Sequence, residues 1–295
     1  MFKNVIFYNL SDFNLDDSAL TDALQRNPFE PCGKFELKSE GWIAPAGGDT
    51  EFVRTINGAT LIALCVEKKS IPSSVIKMRL AEKVEEYEAR HGEKPSKKDA
   101  RAMKDDIVFE LTPLAFPKQE VIRLIVSSDR KWIALDTGSS KKAEDVLAFL
   151  RNDLGSMKVT PVTPETPVEP VLTQWLTTQE LPEKISLPGD CSLNDHDGGV
   201  VTCKNLDLFS DEVQNHLGSG KTVTKMAVNF DDRITFTLDA SLILKSVKFD
   251  GSLTPEADES EDNEEAQLCY LTDGWLASLA PEFNTVFGFL NEQFI

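Results

Sequence analysis

Apolar and polar residues alternate over residues 2–10, FKNVIFYNL, which predicts a first β-strand. The capped segment DDSALTDALQ predicts a short helix after it. Strands follow in KFELKSEGWIAP and EFVRTINGATLIALCVEKK, the second folded into a hairpin at Asn57-Gly58. From Ser73 the period changes. Ile76, Leu80, Val84 and Tyr87 recur three and four residues apart, the spacing of one helical face. Gly92 and Pro95 end that helix, and Ser96 with Asp99 offers a capping box for a second one reaching about Leu111. Pro113 and Pro117 close the segment. EVIRLIVSSDRKWIALDTG then reads as strand–turn–strand, and SSKKAEDVLAFLRNDLG as a helix with Ala143, Val146, Leu147 and Leu150 on one face.

The stretch 159–171, VTPVTPETPVEPV, carries Pro161, Pro164, Pro167 and Pro170 and reads as an extended connector. Beyond it the first half is echoed. TKMAVNFDDRITFTLDASLILKSVKF reads as strand–turn–strand, and QLCYLTDGWLASLAPEFNTVFGFL as strand, Asp-Gly turn and apolar helix. The pattern therefore predicts an α+β fold of two sheet-and-helix domains, weakly suggestive of an internal duplication, with an inserted helical hairpin. The expected divisions are residues 1–69 with 120–158, the arm 70–119, the connector 159–171 and the domain 172–295.

At 295 residues with 41% hydrophobic residues, the chain suits a folded protein of that plan. No apolar run approaches the ~20 residues of a membrane-spanning helix, so no membrane is expected as a partner. The N-terminus turns acidic after one lysine and reads as a strand, not a signal peptide. Five scattered cysteines without a C-x-x-C pair, and three histidines off ligand spacing, point to a reducing, cytoplasmic compartment without a structural metal.

Two motifs resemble catalytic signatures. ALDTGSS, 134–140, contains the Asp-Thr-Gly-Ser of aspartic proteases, but a second copy is lacking: FDGS at 249–252 has no Thr. A strand end whose Ser caps a helix is the plainer reading of Asp136 and its neighbours. GSGKT, 218–222, resembles the end of a P-loop, yet Asn215 stands where the first Gly belongs, and a helix precedes it where a strand should. Gly218 reads instead as a helix C-cap.

Charge then changes the picture. The net charge is -18, yet the run HGEKPSKKDARAMKDD, 91–106, gathers Lys94, Lys97, Lys98, Arg101 and Lys104. From Lys68 to Lys142 there are 17 basic and 12 acidic residues, a balance of +5, so the remainder carries -23. Much of that lies in EADESEDNEE, 256–265, which reads as a solvated loop. Spacing alone leaves the basic stretch open between a solvated face paired with Glu82, Glu85, Glu86 and Glu88, and a contact with phosphates. Aromatic interleaving of the single-strand-binding kind is absent along the sequence.

SIPSSVIKMRLAEK at 70–83, LAFPK at 114–118, KKAEDVLAFLRNDLGS at 141–156, GGVVTCKNLDL at 198–208 and GKTVTKMAVNFDDRI at 220–234 together resemble RdgC, the recombination-associated family of proteobacteria. PCGKFELKSEGW fits as well, so the likeness covers the chain in order. The resemblance implies a homodimer closed into a ring whose basic hole encircles duplex DNA. It implies binding of single- and double-stranded DNA without sequence preference, antagonism of the RecA recombinase, a nucleoid location, and neither catalysis nor a cofactor. Carried over by position, it places DNA contacts at Lys77, Lys83, Lys97 and Lys104, and Lys98, Arg101, Lys118, Lys141 and Lys142 are further basic candidates of this sequence. It places the dimer gate at Leu114 and Phe116, faced by Lys204, after which Asn205-Leu206 replaces the family's Lys-Gln. Lys141 and Lys142 head a helix, where their charge opposes its dipole. Two other readings stand beside this one: an interaction module whose basic arm binds an acidic partner, and a hydrolase using Asp136 in a shared-carboxylate site.

Overall fold

The structure, a computed structural model, describes residues 2–11, 13, 16–46, 50–195, 197–255 and 263–295. Among them the fold is α+β, with two antiparallel sheets, seven α-helices and no closed barrel. In chain order the elements are β1 (Ile6–Ser11), α1 (Asp17–Leu24), β2 (Lys38–Ile43), β3 (Arg54–Ile56), β4 (Ala59–Lys69), α2 (Ser73–His91) and α3 (Lys97–Leu111). Next come β5 (Pro117–Val126), β6 (Trp132–Leu135), α4 (Ser140–Leu154), β7 (Lys158–Pro161), α5 (Val168–Thr178), β8 (Ile185–Ser186), β9 (Cys191–Asn194) and β10 (Val200–Cys203). The chain closes with α6 (Asp211–Gly218), β11 (Thr222–Phe230), β12 (Ile234–Asp239), β13 (Lys245–Phe249) and α7 (Glu264–Phe294).

Local chemistry accounts for most boundaries. Asn57 and Gly58 both take positive φ, 51° and 80°, which a type I′ hairpin turn requires between β3 and β4. Gly92 ends α2 in the left-handed region at φ 74°. The Ser96 hydroxyl accepts the Asp99 N–H at 3.2 Å and donates to the Asp99 carboxylate at 2.6 Å, starting α3. Ser139 caps α4 by accepting the Lys142 N–H at 3.4 Å.

Two elements depart from expectation. The segment read as strand, turn and helix over 267–290 is one helix, α7, of 31 residues. Its apolar start looks like a strand in isolation, but the Asn263 side chain caps the helix by accepting the Glu265 N–H at 3.0 Å, and Glu264 and Glu265 complement its positive end. At the end of α6 it is Gly220, not Gly218, that takes positive φ, 89°. Of the acidic run 256–265, residues 256–262 lie outside the described residues.

The chain divides into two compact units: residues 1–26, 44–63 and 122–295, and residues 27–43 with 64–121. In the larger unit the first sheet has the order β4-β5-β6-β1-β7 with β3 beside β4, and the second β10-β9-β11-β12-β13 with β8 beside β11. One apolar core serves both sheets. Phe2 meets Phe283 edge-on at 5.4 Å, Phe7 meets Trp132 at 5.4 Å, and Leu172, Phe236, Val286 and Phe294 belong to the same cluster. The proline-rich stretch 159–171 runs inside this unit. Thr160 pairs with Asn9, the Glu165 and Thr166 N–H groups donate to the Phe294 carbonyl at 2.8 and 3.0 Å, and Val168 is buried.

The smaller unit is built on β2, the distal parts of β4 and β5, and the hairpin of α2 and α3. Gly41 lets β2 come close to the preceding segment: a Cβ there would lie 2.5 Å from the Phe29 N and Cα. In that contact the Phe29 N–H donates to the Trp42 carbonyl at 2.9 Å.

Candidate nucleic-acid interface

The arm helices expose nearly everything they carry. No residue of α2 is buried, and in α3 only Ile107 is. A hairpin with so little core is held by its own polar contacts, and Lys83 supplies one by donating to Glu110 of α3 at 2.9 Å. Arg79 pairs with Glu82 at 3.3 Å, and Arg90 with Glu86 at 3.8 Å. The basic face of α2 is thus largely neutralised within the arm.

On α3 the arrangement differs. Lys97, Arg101 and Lys104 stand at i, i+4 and i+7 and share one face, with Lys98 beside them. All four are exposed, and among the described residues no carboxylate lies within ion-pair distance of them. The same holds for Lys77 on α2 and Lys118 at the head of β5. These residues, with Lys83, belong to the smaller unit. Lys141, exposed, and Lys142, half-buried, open α4 in the larger unit.

Phe116 follows the 3-10 turn Thr112–Leu114 and is 89% exposed, while Leu114 is 74% exposed. The ring does not fold back on its own hairpin. Beside it an apolar cavity of about 280 Å3 is lined by Ile71, Pro72, Val75, Leu111, Leu114 and Phe116. Lys204 is exposed in the larger unit, one residue past β10.

Sequence reasoning missed an aromatic pair. Phe35 and Phe109 stack with centroids 4.6 Å apart and planes 8° apart, both more than half exposed, and Lys34 Nζ lies 5.5 Å from the Phe35 centroid. The loop carrying Phe35 is held firmly. Glu67 accepts the Cys32 N–H at 2.8 Å, and Lys69 donates to the Gly33 carbonyl at 2.6 Å. The two rings come from distant parts of the sequence, so no local pattern signals them.

Asp136 serves the fold. Its carboxylate accepts the Lys3 N–H at 3.0 Å and so pins the start of β1 to the end of β6. Burial pushes its carboxyl up, while the Lys3 and Asn4 N–H groups and Arg123 pull it down; no second carboxylate acts on it. GSGKT runs from α6 into β11, the reverse of a P-loop context. Cys191 and Cys203 oppose one another across β9 and β10, and burial, with the neighbouring thiol, pushes Cys191 up to about 12. Among the described residues no group of three His, Cys, Asp or Glu is placed to hold a metal, and no helix is long and apolar enough to cross a membrane.

Fold and site define an α+β protein of two compact units in which Lys77, Lys97, Lys98, Arg101 and Lys104 stand on an exposed helical hairpin without an ion-pair partner among the described residues. A family model described as "Putative exonuclease, RdgC" matches residues 1–289. The chain is 36% identical over 270 residues to the recombination-associated protein RdgC of Yersinia enterocolitica, covering 90% of this chain and 89% of that one. It is equally similar, with the same coverage, to the proteins of that name from Yersinia pestis and Yersinia pseudotuberculosis. The chain belongs to the RdgC family of recombination-associated proteins.

Proposed function

We propose that this protein is a non-catalytic DNA-binding protein that closes as a homodimer around duplex DNA and limits RecA-dependent recombination at the nucleoid. The observation that carries the reading is the unpaired basic face of α3, Lys97, Arg101 and Lys104, in a chain of net charge -18. An ammonium or guanidinium left without a carboxylate is available to phosphate, whereas a face that is merely solvated in so acidic a protein should have acquired acidic partners. Lys77, Lys98 and Lys118 extend the same potential, and Lys141 and Lys142 would add contacts from the larger unit. The residues are long, flexible donors, which suits backbone contacts and indifference to sequence.

Closure of the dimer falls to Phe116 and Leu114. A ring 89% exposed gains little in the monomer and makes a strong anchor once covered. In a two-fold contact Phe116 of each protomer would enter the other's surface, with Lys204 facing the gate.

The test is a salt titration of binding to a ~30-base-pair duplex of arbitrary sequence, for the parent and for Lys97→Glu/Lys98→Glu/Arg101→Glu. The expected result is a steep log–log dependence, about -0.9 per phosphate neutralised, that is indifferent to sequence and collapses in the triple variant. No binding at low salt sinks the reading and favours an arm that takes an acidic protein. The exonuclease description of the family motivates a second reading. Release of nucleotides from linear DNA with Mg2+, by enzyme purified to constant specific activity, would establish it.

A further inference from the structure

A second basic surface lies within the larger unit, on the outward face of its second sheet. The register sets out its members. Thr202 opposes Ser192, Ser192 opposes Lys225, Ala227 opposes Thr237, and Asn229 opposes Thr235, which in turn opposes Lys248. Directly opposed residues share a face, so these side chains form one surface across five strands. The alternate positions Met226, Val228, Phe230, Ile234, Phe236 and Leu238 are buried in the core, so the register has one fixed sense.

The outward face carries hydroxyls, the Asn229 amide and lysines, with the buried Ala227 between Lys225 and Asn229. At one end Ser192, Thr202, Lys204, Lys225 and Thr237 converge on a shallow cavity of about 170 Å3. Two aspartates belong to this surface, Asp239 opposite Lys225 and Asp190 at the cavity, and both are engaged. Asp239 accepts from Lys245 and from the Ser241 hydroxyl, which together outweigh its burial and hold its carboxyl below the usual range. Asp190 accepts the Asn205 N–H at 2.9 Å. Against them stand Lys204, Lys225, Lys245 and Lys248. The chain has 49 acidic and 31 basic residues, so a face that is only solvated should carry more acid than base. This face inverts the ratio. Lys204, Lys225 and Lys248 are exposed, without a carboxylate in ion-pair distance among the described residues.

We propose that this sheet face holds a phosphodiester backbone of DNA, Lys225 and Lys248 neutralising phosphates while the Ser192, Thr202, Thr235 and Thr237 hydroxyls donate to their oxygens. The inference rests on the DNA-binding reading above and adds to the arm a contact surface in the other unit. Thr202, Ser192 and Lys225 stand side by side across three strands at one end of the face, and Thr235 and Lys248 across two at the other, so the donors are spread along the sheet as an extended polyanion requires. An acidic peptide fits less well, since its intervening side chains need pockets and the cavity beside Lys225 is shallow. Ammonium groups and hydroxyls suit phosphate oxygens, so the contact is neutral to sequence.

The experiment compares the full chain with its Lys225→Glu/Lys248→Glu variant in salt-titrated binding to a ~30-base-pair duplex, with poly-glutamate as a second ligand. The variant's log–log slope should be shallower by about 1.8, and its affinity ~60-fold weaker at 0.1 M salt, since each lysine contributes about 0.9. Lys225→Gln/Lys248→Gln, which keeps the stems and removes the charge, should show the same change with an unaltered melting curve. A parent that binds duplex and a charge-reversed variant that binds with equal affinity and slope overturn the sheet contact and leave the DNA reading intact. A parent that fails to bind duplex overturns both. A parent that prefers poly-glutamate at matched charge, a preference lost in the variant, assigns the face to an acidic protein and overturns the proposal.

Discussion

Removing the Phe116 side chain should separate assembly from folding. The ring is 89% exposed in the protomer, so Phe116→Ala deletes almost no buried contact and should change monomer stability by less than about 0.5 kcal/mol. In a closed dimer the same ring leaves water. Burying one Phe side chain contributes about 1.5–3 kcal/mol, and a two-fold contact contains two, so the variant should lose about 3–6 kcal/mol of dimerisation energy. That corresponds to a dissociation constant raised by about two to four powers of ten. Mass photometry or sedimentation over nanomolar to micromolar protein reads the shift directly, and urea unfolding of the monomer supplies the control. A closed ring predicts a second effect: the parent should resist high salt on covalently closed circular DNA and slide off linear DNA, and the variant should lose that distinction. An unchanged dissociation constant in the variant, or a parent monomeric throughout, would refute the gate. So would a destabilised monomer, because the ring would then be packing somewhere within the protomer.

Three further outcomes follow from the geometry. Gly41→Ala drives a methyl against the Phe29 backbone at 2.5 Å and should cost about 1–3 kcal/mol, seen as a melting point several degrees lower; an unchanged melting point would show that β2 and its neighbour can part freely. Asp239 has a depressed carboxyl in the folded state, so its contribution is present above the ordinary carboxylate value of about 3.9 and is lost as pH falls through the folded one. Asp239→Asn should therefore flatten the loss of stability below about pH 4, and parallel urea-derived curves for parent and variant would contradict this. Arg54 donates through Nε and Nη2 to both oxygens of Asp273, each at 2.7 Å, tying β3 to α7. Arg54→Lys cannot reproduce that fork and should cost about 1 kcal/mol, with a double-mutant cycle against Asp273→Asn showing coupling lost.

Where structure is set locally, the sequence was readable. Asn57-Gly58, Ser96 with Asp99, Gly92 and Ser139 each act within a few residues, and each marks the boundary expected of it. Elements decided by distant partners were not. The apolar start of α7 fits a strand as well as a helix, and burial of Leu276, Phe283 and Val286 along one continuous element resolves it. The prolines of 159–171 suggested an extended connector, yet Pro170 sits in the first turn of α5, where its missing N–H has no helical partner to lose. The basic face of α3 followed from spacing. That Lys83 is paired while Lys97, Arg101 and Lys104 are not depends on where Glu110 falls across the hairpin, and the Phe35–Phe109 stack depends on a contact spanning 74 residues, from 35 to 109.

The shared core of the larger unit also fixes an order of events on the ribosome. Phe2 and Phe7 are made well before their partner Phe283 and the closing Phe294. The smaller unit, by contrast, is complete in sequence at residue 121, which precedes Phe294 by 173 residues (294 minus 121). At ordinary elongation rates that interval is about 9–35 s. During it the arm and its cations can fold while the amino-terminal strand waits without its core. Nascent chains halted before α7 should accordingly protect the hairpin from protease and leave β1 open to cleavage.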